Sequence, residues 1–285
     1  MNSFEYIKFK QKVWAANNNL SLFGSNINSA ENIYLDERKY NLFEDLYDET
    51  IAELSNGDGS ELISVNGLPK INALHSSSSL AINIFQYWRK KEFYNMLKSL
   101  NYFLFDNLEP KDIKFEQKFP VFKNVFPPNI DVTIYTELKE EEKIIAIESK
   151  FTEPYRKHEQ KLNESYIKKY NFWKELPSLF NLSNDINSGN LRFRYLDPVQ
   201  LIRHILGLKS NYKKENFILL YIFYDVFGED SKVHHEEIKK FKDICTKDGI
   251  YFHYISYQEF IFNLNNNLSY KDHKEYLDYI NLRYL

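Results

Sequence analysis

Two carboxylates and a lysine interrupt the most apolar strand-like stretches of the chain. Asp131 lies within Asn129-Ile130-Asp131-Val132-Thr133-Ile134-Tyr135, and Glu148 and Lys150 close the run Lys143-Ile144-Ile145-Ala146-Ile147-Glu148-Ser149-Lys150-Phe151. Both runs are short and rich in Ile and Val, which predicts buried β-strands. The near-continuous charge from Glu137 to Lys143 predicts a solvated hairpin loop between them. Side chains alternate along a strand, so Glu148 and Lys150 share a face, while Ile130 and Val132 point away from Asp131 into a core. A hairpin of this kind can set Asp131, Glu148 and Lys150 close together on one sheet surface. Charges at the ends of apolar strands are costly unless something uses them. A divalent cation is the economical use.

Composition narrows the setting. With 285 residues, 43% hydrophobic and 27% charged, the chain can bury a large core and reads as an ordinary globular protein. Its net charge of −3 gives no global basic signature, so any nucleic-acid surface must be local. A single cysteine, Cys245, excludes an internal disulfide framework and a thiolate zinc cluster, and is read as a core residue. The first residues lack a basic segment followed by an apolar one, and no apolar run approaches a membrane span of about 18 residues. A soluble, cytoplasmic protein with no membrane partner is expected. Tyr (22) and Phe (23) are frequent but spread along the whole chain, so they do not by themselves indicate base stacking.

The elements around the hairpin are read from periodicity. Phe43, Leu46, Tyr47, Ile51 and Leu54 predict a helix over Tyr34 to Leu54 with a solvated acidic face, stopped by Asn56-Gly57-Asp58-Gly59, whose spacing does not fit an EF-hand. A second helix is expected from Ser76 to Leu100. At its start the serines Ser76, Ser77, Ser78 and Ser79, with Asn83, have two readings: capping and close packing, the simpler account, or a phosphate held at a helix N-terminus. A strand over Ile113 to Phe119 carries Glu116. Beyond Lys150, Thr152 and Pro154 predict a helix bearing Arg156, Lys157, Lys161, Lys168 and Lys169, either a solvated face or a surface for a polyanion's backbone. Ser183 to Asn190 reads as a polar loop. Asp197 and Gln200 form a capping-box pattern at the start of a helix, on which Gln200, Arg203 and His204 share one face. Glu215 to Asp225 predicts a central strand, Ser231 to Cys245 a polar helix with His234 and His235 solvated, Tyr251 to Ile255 a strand, and Ser269 onward a final helix.

From Ser76 the order is helix, three strands, helix, strand, helix, strand. With Pro128-Asn129-Ile130-Asp131 and, after the hairpin, Glu148-Ser149-Lys150, the chain resembles the PD-(D/E)XK nuclease superfamily over about Leu74 to Ile255. Asn129 and Ile130 separate Pro128 from Asp131, a departure from the nominal Pro-Asp pair. The resemblance is closest to bacterial restriction-endonuclease-like members, with a serine-rich helix before the hairpin and Phe-Thr-Glu after the lysine. It implies an α/β fold, a central mixed β-sheet flanked by helices, with a nuclease core over 74–257. The chain outside that core is read as an N-terminal helical extension over 1–73 and a C-terminal helical segment over 258–285, all in one compact unit. The resemblance implies that Asp131 and Glu148, helped by the Ser149 carbonyl, ligate Mg²⁺ (or Mn²⁺), that Lys150 orients or deprotonates the attacking water, and that Glu116 adds a carboxylate. Ser76, Ser77, Asn83, Lys157, Lys161, Gln200 and Arg203 are the candidate nucleic-acid contacts, with His204 beside them. The expected function is metal-dependent hydrolysis of DNA phosphodiesters in restriction or genome defence, with RNA left open as substrate and a homodimer expected so that both strands are cut. The competing readings are a non-catalytic nucleic-acid-binding or assembly module that retains the fold, and a metal-free carboxylate-pair hydrolase acting on sugars.

Overall fold

A computed structural model describes residues 1–57, 61–64, 66–122, 126–156 and 160–285. In chain order the helices and strands are α1 (Ser3–Asn17), α2 (Asp48–Asn56), α3 (Ser77–Phe85), α4 (Tyr94–Leu100), α5 (Tyr102–Phe105), β1 (Glu109–Lys118), β2 (Asn129–Leu138), β3 (Glu141–Lys150), α6 (Glu164–Ile167), α7 (Tyr170–Trp173), α8 (Pro177–Ser188), α9 (Pro198–Asn211), β4 (Phe217–Phe223), α10 (Glu229–Lys247), β5 (Phe252–Ser256), α11 (Tyr257–Asn267) and α12 (Tyr270–Tyr284).

The strands form one mixed sheet in the order β1-β2-β3-β4-β5. β1, β2 and β3 run antiparallel as a meander, and β4 and β5 continue parallel to β3. The hairpin is tighter than its charge suggests. Leu138 pairs with Glu141, leaving only Lys139 and Glu140 as the turn, both at positive φ (51° and 69°). Two such residues give the backbone twist that matches flanking strands. The acids and lysine of the expected loop are therefore strand residues, paired Thr136 to Lys143 and Glu137 to Glu142.

Alternation in β3 and β4 divides the interior into two layers. Ile145, Ile147, Leu220 and Ile222 pack with α3, α4, α11 and α12 on one face. Ile144, Ala146, Leu219 and Phe223 pack with α8, α9 and α10 on the other. Full burial of each such side chain contributes about 1.5–3 kcal/mol, so the sheet is fixed from both sides and its strand ends hold their positions. Cys245 is buried in the second layer, as expected of a core residue. Among the described residues no helix is long and apolar enough to cross a membrane.

Several helices end where periodicity would continue them. The expected helix from Tyr34 is a short 3-10 turn over Arg38–Asn41 followed, after an extended link, by α2. Asn41 is buried and donates to the Ile71 and Ala73 carbonyls, and the Phe43 amide donates to Asn83, so side chains take the place of helical bonds. The expected helix from Ser76 to Leu100 breaks after Phe85 into a 3-10 segment, Gln86–Lys90, before α4. Gln86 there bonds Tyr47 N and Asp45 O, and Arg89 makes a forked pair with Glu53. The basic helix after Lys150 is instead a 3-10 turn, Glu153–Tyr155, and the separate short helices α6 and α7. Ser183 is not in a loop but inside α8, its hydroxyl on Leu179 O, and the helix ends at Gly189 with φ 79°. His234 is buried rather than solvated, with Nε2 3.1 Å from the Tyr221 hydroxyl.

Candidate active site

Glu148 and Lys150 occupy the last turns of the β3 pleat, where the strand leaves the hairpin and runs beside β4. Glu148 pairs with Tyr221 and Lys150 with Phe223 across that parallel ladder. β2 enters from the other side. Its ladder to β3 runs as far as Val132–Ile147, and beyond it a side chain takes over: Asp131 Oδ2 accepts the Ser149 amide N–H at 2.7 Å. The carboxylate of Asp131 is thereby fixed against the backbone between Glu148 and Lys150. Ser149 itself faces the opposite layer, its Oγ 2.6 Å from the Tyr257 hydroxyl.

The electrostatics follow from this crowding. Lys150 Nζ lies 2.5 Å from Glu148 Oε1, and His204 Nε2 on α9 lies 2.7 Å from Glu148 Oε2, with the Glu148 side chain fully buried. Burial by itself pushes the Glu148 carboxyl up, but the Lys150 ammonium and His204 outweigh it and hold the group at about 2. Asp131 goes the other way. Burial and then the neighbouring Glu148 charge raise it well above the ordinary aspartate range, with Glu116 adding to the rise and Lys150 opposing it. Burial pulls Lys150 down, but Glu148, Asp131 and Glu153 more than offset it and keep the ammonium charged. The site thus holds a lysine cation, one firmly ionised carboxylate and one whose ionisation is opposed.

α9 delivers its side chains by a close helix–sheet approach. Asp197 caps it, accepting the Gln200 amide at 3.1 Å, as the capping-box pattern predicts. Gly207 allows the contact: a Cβ there would lie 2.5 Å from Pro128 Cγ and 2.7 Å from Phe119 O. One turn before it His204 reaches Glu148, and one turn before that Gln200 joins Lys150, Glu153, Pro154, Tyr195, Asp197 and Tyr221 around a cavity of about 70 Å³. Glu153 also receives the Phe151 amide at 2.9 Å. A match to a protein-family model completes the description: one described as Restriction Endonuclease associating with ARP (REase-ARP) matches residues 9–285.

The chain belongs to this family.

Among curated proteins and solved structures nothing matches it. Within this REase-ARP chain the residues singled out from sequence sort into two groups. Asp131, Glu148, Ser149 and Lys150 come together, with Gln200 beside Lys150 and His204 on Glu148. Glu116 falls opposite Asp131 in the β1–β2 register and has φ 53°, and its carboxylate receives the Asn129 amide. Arg203 Nη2 lies 3.4 Å from the Phe126 carbonyl. In the serine-rich helix the capping reading is what is seen, and the phosphate reading loses Asn83. Ser76 is the N-cap of α3, accepting Ser79 N at 3.2 Å, and Ser77 is half-buried in its first turn. Asn83 is 2% exposed, with its amide committed to Phe43 N, Asn41 O and the Tyr284 hydroxyl, so it is an interior tie and not a phosphate contact. Lys161 is exposed, and Lys157 lies outside the described residues. Tyr195 and Tyr221 were not legible as site residues, and Glu153 stood out only within the Phe-Thr-Glu run that follows Lys150.

A hard oxygen-preferring cation suits this donor set. Glu148 presents two fully buried oxygens, each with one neighbour at ion-pair distance and a lone-pair site left over, and Asp131 repels it from across the hairpin. Among the described residues no three His, Cys, Asp or Glu side chains converge as a ready-made cage. Mg²⁺ needs none, since it keeps several waters and uses one or two carboxylates.

Proposed function

We propose that this REase-ARP protein is a PD-(D/E)XK-type nuclease that hydrolyses DNA phosphodiester bonds with Mg²⁺ (or Mn²⁺), acting in restriction or genome defence. The observation that carries the proposal is the convergence of Asp131, Glu148 and Lys150 at the adjoining ends of β2 and β3, in a chain of a restriction endonuclease family. Asp131 and Glu148 would hold the cation, with the Ser149 carbonyl as a third oxygen. When bound, the metal supplies charge stabilisation at the phosphoryl oxygen and a more acidic water. Lys150 is a compact, strongly charged donor on a flexible stem, 15% exposed, placed to orient the attacking water and to offset phosphate charge. Glu148, Asp131 and Glu153 favour its charged form; a cation on the two carboxylates would offset that pull, so Lys150 would act as a point charge beside the phosphate or as the base that takes the water's proton. Gln200 lines the same cavity and offers an amide to a phosphate oxygen. DNA is the proposed partner, contacted by two copies of the chain.

Incubation of plasmid DNA with the full chain and Mg²⁺ tests the proposal. Wild type should nick and linearise, EDTA should abolish cleavage, and Asp131→Ala and Lys150→Ala should be inactive. Equal cleavage by all three proteins, or none by wild type with either metal, would remove it.

A further inference from the structure

We propose that His204 is a positioning residue that fixes how Glu148 presents its carboxylate to the cation. The inference rests on the reading of Asp131 and Glu148 as cation ligands and adds a part to it that neither motif nor family assigns.

A buried glutamate without a rigid neighbour can turn about its last bonds, and each lost rotation adds to the cost of binding a metal. Lys150 holds one oxygen, but from the same strand and through a flexible four-carbon stem. His204 holds the other from a different element. Its ring is 2% exposed and rides on α9, which Asp197 caps and which Gly207 seats directly on Pro128 and Phe119. The ring is therefore fixed relative to the sheet in a way the lysine stem is not. At 2.7 Å two bare lone pairs would repel, so Nε2 carries its hydrogen toward Glu148 Oε2. Nδ1 then holds the lone pair, and it has no hydrogen-bond partner among the described residues. A carboxylate oxygen has about two lone-pair sites, so one contact to each oxygen leaves a site free on both. His204 thus restricts the carboxylate without consuming it, and this is what a supporting contact to a metal ligand does.

The test is Mg²⁺ titration by calorimetry on the full-length wild type, His204→Ala, His204→Gln and His204→Asn, paired with the Mg²⁺ dependence of plasmid cleavage. Loss of an outer contact weakens metal affinity by about 10–100-fold, and that is expected for Ala and for Asn, whose amide is too short to reach. Gln, whose amide can reach Glu148, should recover most of the affinity, and raised Mg²⁺ should restore cleavage by the Ala variant. Should Ala fail to fold, the Gln and Asn pair decides alone. Unchanged Mg²⁺ affinity in the variants, or a fall in melting temperature with no change in affinity, overturns the role of His204. Absence of Mg²⁺ binding by wild type overturns instead the nuclease reading on which it rests.

Discussion

Two sets of buried polar groups, one on each face of the sheet, are kept on different terms. On the α3–α12 face, Asn83 and Arg283 are each only 2% exposed, and their bonds are met. Arg283 donates from Nε to Gln11 Oε1 at 3.1 Å and from Nη1 to Asn41 O at 2.7 Å, while its plane lies over Trp14. On the α9 face, Glu148 is buried at least as deeply, but its neighbours are the Lys150 ammonium and the His204 ring at 2.5 and 2.7 Å and a second carboxylate. Satisfied polar groups rigidify a core, whereas unmet ones are retained only at a cost. The lesson is that burial alone does not separate structure from chemistry. What sets Glu148 apart is that its close neighbours are ionisable groups, whereas the bonds of Asn83 and Arg283 are completed by backbone and neutral side chains.

The sharpest way to break this contrast is to remove charge from the unmet side. Asp131→Asn should cut plasmid cleavage by about 10³-fold or more, yet raise the melting temperature by about 2 °C, because folding opposes ionisation of this carboxyl. A loss of both activity and stability would place Asp131 with the structural groups. On the complete side the signs reverse. Arg283→Met strands the acceptors of Asn41 and Gln11 and should cost about 2–3 kcal/mol in urea denaturation, while the Mg²⁺ affinity of the folded protein is unchanged.

The pH dependence of stability separates the two carboxylates. Glu148 is held at about 2, below its ordinary 4.5, so its contribution is complete above pH 4.5 and is lost as pH falls toward 2. Asp131 is raised above 3.8, so the native state keeps a proton the unfolded chain has released, and stability declines as pH rises above that value. Thermal melts across pH 2–8 should therefore lose their acid limb in part in Glu148→Gln and their decline with rising pH in part in Asp131→Asn. The smallest effect is reserved for the exposed Lys161. Lys161→Ala should weaken DNA binding by no more than about threefold and reduce the salt slope by about one, with melting temperature unmoved.

The site's core was legible because Asp131, Glu148 and Lys150 need only a hairpin to meet, although alternation breaks beside Asp131, where Ile130 and Val132 pack in different layers. The start of α9 was legible for a similar reason, since Asp197 capping Gln200 is a local bond. Helix lengths were not. Gln86 and Arg89 leave helical geometry to bond Asp45, Tyr47 and Glu53, partners some forty residues away that no window of sequence contains. Asn83 looked polar and available for the same reason. Its acceptors and donors come from residues 41, 43 and 284. His204 stood on a noted face, but only the Gly207 contact, which sets how near α9 lies, turns a shared face into a reach to Glu148.

Ser149 has a consequence of its own. Its amide holds the Asp131 carboxylate on one side of the sheet, and its hydroxyl meets Tyr257, the first residue of α11, on the other. A single peptide unit is thus a rivet through the thickness of the sheet. Any tilt of α11 strong enough to drag that tyrosine is delivered to the aspartate across one residue, with no chain of intervening side chains to absorb it.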